Sequence, residues 1–480
     1  MEIISFRFAI LAIASVIIFY LLNHKYRIGY LTILSCGFIA TYNYYLLIYV
    51  VAYALFNYLI GINIPDSKSK IALFRTGVVI NLSQLIVLKY ASFAIDPIFQ
   101  ILNSKIYIAK LSEIIIPFGI SFFTLQGIGY LINVKMGWEK PERKFLNFLL
   151  YITFYPKFLS GPIERSNHFL PQLKVIQSFN EKQISDGLRI ALFGFFKKIA
   201  IANQLAPFIS SSYANLNSAD GFSLWIVLLL QPLYLYFDFS GYTDIAIGFA
   251  KTFGIELLPN FDRPFFSQNM TTFWKRFHIS LSSWFNDYVF RQTSFRRRKW
   301  GIYASIYALL VTWTLFGIWH GAGWNFMLLG LVQALAIIYE FFTKKWRVSL
   351  FSKLNDNSRN WLGRMFTYLF YGTSLVFFFS PDTNSTFIFF SKLFKSSASI
   401  QSVLARAMRE IPLSAIILII VFLLIELINN DFKDIFIKLE HFWSTEKKKN
   451  EIFRWVIYSS VLAILFVLGS QVKQFIYAQF

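Results

Sequence analysis

The stretch of sequence that decides the fold class is YASIYALLVTWTLFGIWHGAGWNFMLLGLVQALAIIYEFF, residues 303–342. It contains two apolar runs, Tyr303–Trp319 and Trp324–Phe342, with the short segment of residues 320–323 between them. The hydrocarbon core of a bilayer is roughly 30 Å thick, and an α-helix needs about 20 mostly apolar residues to cross it. The stretch therefore predicts two consecutive membrane-spanning helices with an ionisable residue, His320, where they meet.

Apolar runs of this kind recur along the whole chain of 480 residues. Apolar residues make up 56% of the sequence and charged residues only 15%, against roughly a quarter in soluble proteins. We therefore predict an all-α, polytopic membrane protein with on the order of 10 to 13 transmembrane or re-entrant helices, forming a single domain over residues 1–480. The other predicted spans are Phe8–Leu22, Tyr30–Ile60 (long enough for two short spans), Ile71–Ala94, Ile114–Val134, Phe145–Leu159, Ile190–Ile209, Phe222–Phe249, Phe366–Phe379, Leu413–Ile428 and Trp455–Leu468.

The net charge of +21 comes from basic residues in the short connections between apolar runs. This distribution is typical of positive-inside topology and of contact with membrane lipid headgroups, and it excludes nucleic acid as a partner. We expect the basic segments at residues 23–28, 66–75 and 343–353 to face the cytoplasm of a bacterial inner membrane, with the N-terminus outside. Because a basic cluster follows the first apolar run, we expect that run to be a signal anchor rather than a cleaved signal.

His320 is the first candidate for chemistry. An ionisable side chain between two spans is costly unless it faces a cavity, so a functional site is the default hypothesis. Gly317 and Gly321 are four residues apart, which would let a neighbouring helix or a substrate chain approach the backbone closely. The alternative interpretation is a histidine near the headgroups, with glycines that serve packing alone.

His278 is the second candidate, in the segment FWKRFHISLSSWF of residues 273–285. If this segment is one helix, His278 shares an apolar face with Trp274 and Ser282. The alternative is a histidine that only forms hydrogen bonds within the core. Of the other three histidines, His24 and His441 lie in basic loops, and His168 follows a Gly-Pro motif.

Asp238 and Asp244 follow an uninterrupted apolar run, so their carboxylates are expected at or within membrane depth. There they must be paired, protonated or bathed in water. These two aspartates are predicted either to have a structural role, by orienting a histidine or capping a broken helix, or to contact substrate; Asp238 is the one predicted to belong to the site.

Two histidines at membrane depth suit proton transfer near neutral pH. Acyl transfer to a hydroxyl needs a base for the acceptor and donors for the developing oxyanion. The sequence has no Gly-x-Ser-x-Gly elbow of a serine hydrolase and no His-Glu-x-x-His zinc signature. Its single cysteine, Cys36, excludes an intramolecular disulfide and a cysteine-based metal site. No metal site is predicted.

The chain resembles the membrane-bound O-acyltransferase (MBOAT) family, in particular its bacterial branch of alginate O-acetylation and D-alanyl-lipoteichoic acid transfer proteins. The terminal stretch of residues 475–480 is similar to the alginate-type ending. The motifs that carry the resemblance are PFGISF at residues 117–122, YLI at 130–132, GPIER at 161–165, YFDFSGY at 236–242, FWKRFHISLS at 273–282 and WHG at 319–321.

The resemblance implies that His320 is the catalytic residue and His278 the second functional position. Trp319, Asn325, Ser282 and Asp238 are the predicted substrate-binding or orienting residues. It also implies a tunnel that meets at the histidine, with no bound cofactor. The co-substrate would be a cytoplasmic acyl donor such as acetyl-CoA or an acyl carrier protein. The resemblance further implies a polysaccharide acceptor and a periplasmic or extracellular acyltransferase partner.

Three departures from the family pattern fall outside the catalytic motifs. The segment after Asp287-Tyr288 is basic instead of Pro-Leu-Gly-Gly-Asn-Arg, Asn133 stands where aspartate is expected, and Ser380 replaces a late arginine. These departures bear on the acceptor and on the partner surface. The sequence favours O-acetylation of an envelope or exported polysaccharide. The alternatives are D-alanyl transfer to teichoic acid and a non-enzymatic transporter of an acylated intermediate, which would be expected to show paired half-repeats.

Overall fold

The computed structural model describes residues 6–101, 119–175, 178–396, 398–432, 435 and 448–468. Within these ranges the chain is built of helices, with one isolated antiparallel bridge between Phe261 and Phe277. Pro117, Phe118, His441 and the terminal stretch 475–480 lie outside the described residues.

We number the helices in chain order. They are α1 (Phe6–Leu21), α2 (His24–Tyr42), α3 (Tyr44–Asn63), α4 (Lys70–Ile101), α5 (Ile120–Met136), α6 (Phe145–Thr153), α7 (Ser166–Gln172), α8 (Glu181–Phe196), α9 (Asn203–Ala214), α10 (Gly221–Thr252), α11 (Met270–Trp274), α12 (Ile279–Phe285), α13 (Arg291–Arg296), α14 (Ile302–His320), α15 (Trp324–Leu350), α16 (Asp356–Phe379), α17 (Thr383–Lys392), α18 (Ile400–Glu410), α19 (Leu413–Asp431) and α20 (Lys448–Leu468).

Seven helices in the described part of the chain are long and apolar enough to cross a membrane. These are α3, α4, α10, α14, α15, α19 and α20, and α1 is a shorter apolar helix. Helix α10 is the most enclosed of the seven, since 72% of its apolar window is buried inside the protein, against 17% for α19. The predicted all-α, polytopic membrane fold is confirmed, with α10 at the centre and lipid-facing spans around it.

Two of the predicted spans have opposite outcomes in the structure. The run Tyr30–Ile60 does form parts of two helices, because the chain turns at Asn43. The Asn43 side chain accepts a hydrogen bond from the Tyr45 backbone N–H at 2.7 Å and so caps α3.

The single span expected over Phe145–Leu159 is wrong. Helix α6 stops at Thr153, and Pro156 disfavours helical backbone at the residue before it. A helix this short reaches only about 14 Å and cannot cross a bilayer.

The basic segments lie on one side of the protein. Helices α14 and α15 pack as an antiparallel pair, so residues 296–301 and 343–350 end on the same side, away from His320. Lys89 on α4 contacts the end of α14, and the helical rise places it roughly 28 Å from Lys70. The start of α4 therefore lies on the same side as the basic ends of α14 and α15.

This arrangement gives a topology test. With Cys36 replaced by serine, a Lys68→Cys variant should resist a membrane-impermeant maleimide in intact spheroplasts, because the basic side is expected in the cytoplasm. Asn384→Cys, exposed beyond the end of α16 on the His320 side, is the matched control and should react. Ready labelling at residue 68 together with protection at residue 384 would reverse the orientation.

Candidate active site

His320 is the last residue of α14 and is 6% exposed. The helix ends there because Gly321 adopts extended backbone, at φ −168° and ψ 162°. Three aromatic rings enclose the imidazole, with centroids 4.9 Å away for Phe316, 4.9 Å for Trp319 and 5.7 Å for Phe378. His320 is therefore a buried imidazole in an aromatic environment.

Glycines bring α14 and α15 together behind this site. A Cβ added to Gly317 would lie 3.0 Å from the backbone nitrogen of Gly330 on α15. A Cβ added to Gly321 would run into the Phe326 ring. The predicted close approach of a neighbouring helix at Gly317 and Gly321 is confirmed, since any larger residue would push α15 away from His320.

His278 lies between two helices, and the predicted single helix over residues 273–285 is wrong. Helix α11 ends at Trp274, α12 begins at Ile279, and His278 adopts left-handed backbone at φ 48° and ψ 50°. Such a conformation is unfavourable for a residue with a Cβ and persists only where the surroundings impose it. The shared helical face of Trp274, His278 and Ser282 is therefore not formed.

Asn260 imposes this conformation. Its carbonyl oxygen accepts from the Ile279 backbone N–H at 3.0 Å, and its side-chain Oδ1 accepts from the Ser280 hydroxyl at 2.6 Å. The antiparallel bridge between Phe261 and Phe277 fixes the chain on the other side of His278. The Ser280 hydroxyl oxygen also accepts from the Ile163 backbone N–H at 3.0 Å, so the Gly-Pro motif of residues 161–165 supports the same turn.

Trp319 contacts both histidines. Its ring centroid is 4.9 Å from that of His320 and 6.0 Å from that of His278, whose imidazole also packs edge-on against Phe239 at 4.7 Å. His278 is 1% exposed. The structure thus brings the two predicted histidines and Trp319 into one buried cluster.

Each of the other three predicted site residues has contacts of its own. Asn325 donates from Nδ2 to the carbonyls of Phe377 at 3.0 Å and Ser380 at 2.9 Å, which ties the start of α15 to the end of α16. Ser282 donates to the Phe277 carbonyl at 3.2 Å, beside His278. Asp238 forms an ion pair with Lys198, and both side chains are fully enclosed.

Sequence reasoning missed three residues that contact this site, namely Lys89, Asn260 and Ser280, and it missed Lys198, the ion-pair partner of Asp238. Lys89 carried a signal, since it is an ionisable residue inside the predicted span Ile71–Ala94 and such residues are functional candidates by default. Lys198 sits within the predicted span Ile190–Ile209 and carried the same signal. Asn260 and Ser280 carried none, because their roles depend on contacts across the chain.

A second polar cluster surrounds Asn133, on the side of the basic segments. Its Oδ1 accepts from the Tyr288 hydroxyl at 2.7 Å and its Nδ2 donates to the Ser166 hydroxyl at 3.2 Å. Ser166 in turn donates to Glu139 at 2.5 Å. Asn133, which stands where aspartate is expected, thus lies in one hydrogen-bonded cluster with the carboxyl group of Glu139.

This cluster makes stability depend on pH. Burial raises the pKa of the Glu139 carboxyl to about 7, outweighing the hydrogen bonds from Ser166 and Asn133 that lower it. The unfolded carboxyl titrates near 4.3, so the folded protein holds a proton between roughly pH 4.5 and 7 that the unfolded chain releases, and stability falls as pH rises through this window. In detergent, Glu139→Gln should flatten this fall and raise the melting temperature at pH 8 by a few degrees relative to wild type.

The exposed Glu181→Gln at the start of α8 is the control and should keep the wild-type pH profile. If Glu139→Gln and wild type lose stability equally between pH 5 and pH 8, the buried carboxylic acid is not the cause.

Comparison with known proteins places the site in a family. Residues 143–380, which include both histidines, match the MBOAT, membrane-bound O-acyltransferase family. The chain is 30% identical over 391 residues to a peptidoglycan O-acetyltransferase of Helicobacter pylori, covering 74% of this chain and 71% of that relative. The chain therefore belongs to the MBOAT family.

Two further relatives represent the alginate and the D-alanyl transfer proteins of the bacterial branch. A probable alginate O-acetylase AlgI of Azotobacter vinelandii is 32% identical over 318 residues, 65% of this chain and 63% of the relative. A teichoic acid D-alanyltransferase of Bacillus subtilis is 29% identical over 237 residues, 48% of this chain and 60% of the relative. The chain thus spans somewhat less than two thirds of the alginate relative.

Proposed function

We propose that this protein is an O-acyltransferase of a bacterial inner membrane that acetylates hydroxyls of a cell-envelope or exported polysaccharide. The observation that carries the proposal is the enclosed pair of imidazoles, His320 and His278, which both contact Trp319 within the region that matches the family. Two imidazoles in one buried cluster suit proton transfer during acyl transfer to a hydroxyl.

In the proposed reaction His320 accepts the proton of the acceptor hydroxyl while the oxygen attacks the carbonyl carbon of an acyl thioester. The tetrahedral intermediate then collapses, the carbon–sulfur bond breaks, and the proton passes to the departing thiolate. His278, held by its left-handed backbone against Trp319, assists by positioning the substrate. Acetyl-CoA or an acyl carrier protein would supply the thioester from the cytoplasm, and a periplasmic or extracellular partner would receive or present the polysaccharide.

The relatives support acetyl over D-alanyl as the group transferred. The alginate and peptidoglycan relatives match at 30–32% identity over 318–391 residues, whereas the D-alanyltransferase matches over 237 residues. The acceptor is proposed as a polysaccharide on the same basis.

Membranes that retain partner proteins allow a direct test. Vesicles with the basic side outward would receive acetyl-CoA carrying a labelled acetyl group, and alkali-labile label on polysaccharide would be counted. We expect ester formation with wild-type protein and not with His320→Gln. No label from acetyl-CoA, together with alkali-labile label when a labelled D-alanyl thioester is supplied instead, would favour the D-alanyl alternative. Label carried across the membrane without ester formation, and independent of His320, would favour the transporter.

A further inference from the structure

The last carbonyl groups of α14 receive their donors from a different helix. The final four carbonyls of any α-helix lack partners within the helix. In α14, the Tyr90 hydroxyl donates to the Ile318 carbonyl, and the Lys89 ammonium donates to the carbonyls of Trp319 at 2.7 Å and His320 at 3.2 Å. Two consecutive residues of α4 thus hold three consecutive carbonyls that end at the proposed base.

The Lys89 ammonium also joins a third helix to this contact. It donates to the Ser121 hydroxyl at the start of α5 at 3.3 Å, and it lies 5.8 Å from the centroid of the Trp319 ring. The Trp319 indole N–H donates to the Ser121 carbonyl at 3.5 Å. Helices α4, α5 and α14 therefore meet at the Lys89 ammonium, beside the Trp319 ring.

The Lys89 ammonium places a positive charge at the C-terminus of α14. A positive charge at a helix C-terminus interacts favourably with the aligned peptide dipoles. An ionisable side chain within a membrane span is costly and is kept only where it has a partner or a task. Neighbouring Ile86 and Val87 are 56% and 51% exposed on the lipid side of α4, whereas Lys89 is directed inward at the end of α14.

We propose that Lys89, with Tyr90, is a positioning residue that fixes the end of α14 and thereby the direction of the His320 imidazole. This proposal rests on the proposed acyltransferase function for its kinetic consequence, but its structural claim does not. A catalytic group displaced by about 1 Å can lose on the order of 100-fold in rate while substrate binding is kept.

The kinetic test compares Lys89→Met, Lys89→Arg and Tyr90→Phe with Lys70→Met, an exposed lysine at the start of the same helix. We expect Lys89→Met to lower kcat roughly 10- to 100-fold with little change in KM, because it removes positioning and not binding. Arginine keeps the charge and the donors and should restore most of kcat. Tyr90→Phe should lower kcat severalfold, and Lys70→Met should leave kcat unchanged.

A second measurement reports the position of His320 without any turnover. Carbethoxylation of His320 by diethyl pyrocarbonate would be followed by mass spectrometry, with the exposed His24 as the reference in the same sample. Lys89→Met should change the His320 rate severalfold and leave that of His24 unchanged. If the wild-type protein transfers no acyl group, the proposed function fails, yet this measurement still decides the positioning claim.

Unchanged kcat together with an unchanged His320 modification rate in Lys89→Met would overturn the proposal. Should Lys89→Met aggregate, Tyr90→Phe decides it in the same two assays. The hydroxyl is the only atom lost in that variant, so wild-type values in both assays would show that the carbonyl contacts do not position His320.

Discussion

His320→Gln is expected to lower the rate of acyl transfer about 10²- to 10⁴-fold, the usual worth of a general base. Glutamine keeps much of the size of the imidazole and some of its hydrogen bonding, so the aromatic cage of Phe316, Trp319 and Phe378 should still close around it. It cannot accept the hydroxyl proton, however, and that step would then have to proceed without a base. The measurement is kcat and KM for purified protein, with size-exclusion behaviour as the folding control.

His278→Gln is the matched comparison, because His278 also contacts Trp319 and is also buried. If His278 positions the substrate, its loss should be milder and should raise KM as well as lower kcat. A well-folded His320→Gln protein with near wild-type turnover would remove His320 from the chemistry.

The second large effect is expected at the ion pair between Lys198 and Asp238. Both side chains are at most 1% exposed, so removing one partner leaves a charge in an apolar interior. Such a loss costs about 3–5 kcal/mol, a large part of the stability of an ordinary domain. Asp238→Asn and Lys198→Met should each accumulate poorly in the membrane and unfold at markedly lower temperature. Asp244→Asn is the control, because its partner Lys197 and Asp244 itself retain 14% and 26% exposure.

The double variant Lys198→Met/Asp238→Leu separates structure from chemistry. Replacing both charges of a buried pair by apolar residues of similar volume is often neutral for stability. The double variant should therefore fold. Wild-type turnover in it would assign Asp238 a structural role alone, whereas a folded but inactive protein would support the predicted orienting role. A double variant no more stable than the singles would contradict the ion-pair account.

The features that sequence could predict are local ones. The apolar runs around Trp319 and Trp324 define two spans by length alone, and His320 stands out because residues 303–339 contain no aspartate, glutamate, lysine or arginine and no other histidine. The spacing of Gly317 and Gly321 predicts close helix packing, which the structure confirms against Gly330.

The features that sequence missed depend on distant contacts. Residues 273–285 contain neither glycine nor proline, so nothing local signals the left-handed backbone at His278 that Asn260 imposes. The hydrogen bond from Lys89 to Trp319 joins residues 230 positions apart, and no period along either helix encodes it. The prediction of a span over Phe145–Leu159 was wrong because apolar composition alone does not fix the length of a helix, and this helix ends at Thr153, before Pro156.

The central claim is that this protein acetylates an envelope polysaccharide with His320 as the base, and ester content in living cells tests it most directly. Polysaccharide would be isolated from a strain without this protein and from the same strain supplied with wild-type or His320→Gln protein at equal membrane levels. Alkali-released acetate would then be measured per sugar. We predict that wild-type protein restores the ester acetate and that His320→Gln leaves it at the level of the deleted strain. Equal ester acetate in all three strains, or full restoration by His320→Gln, would contradict the account.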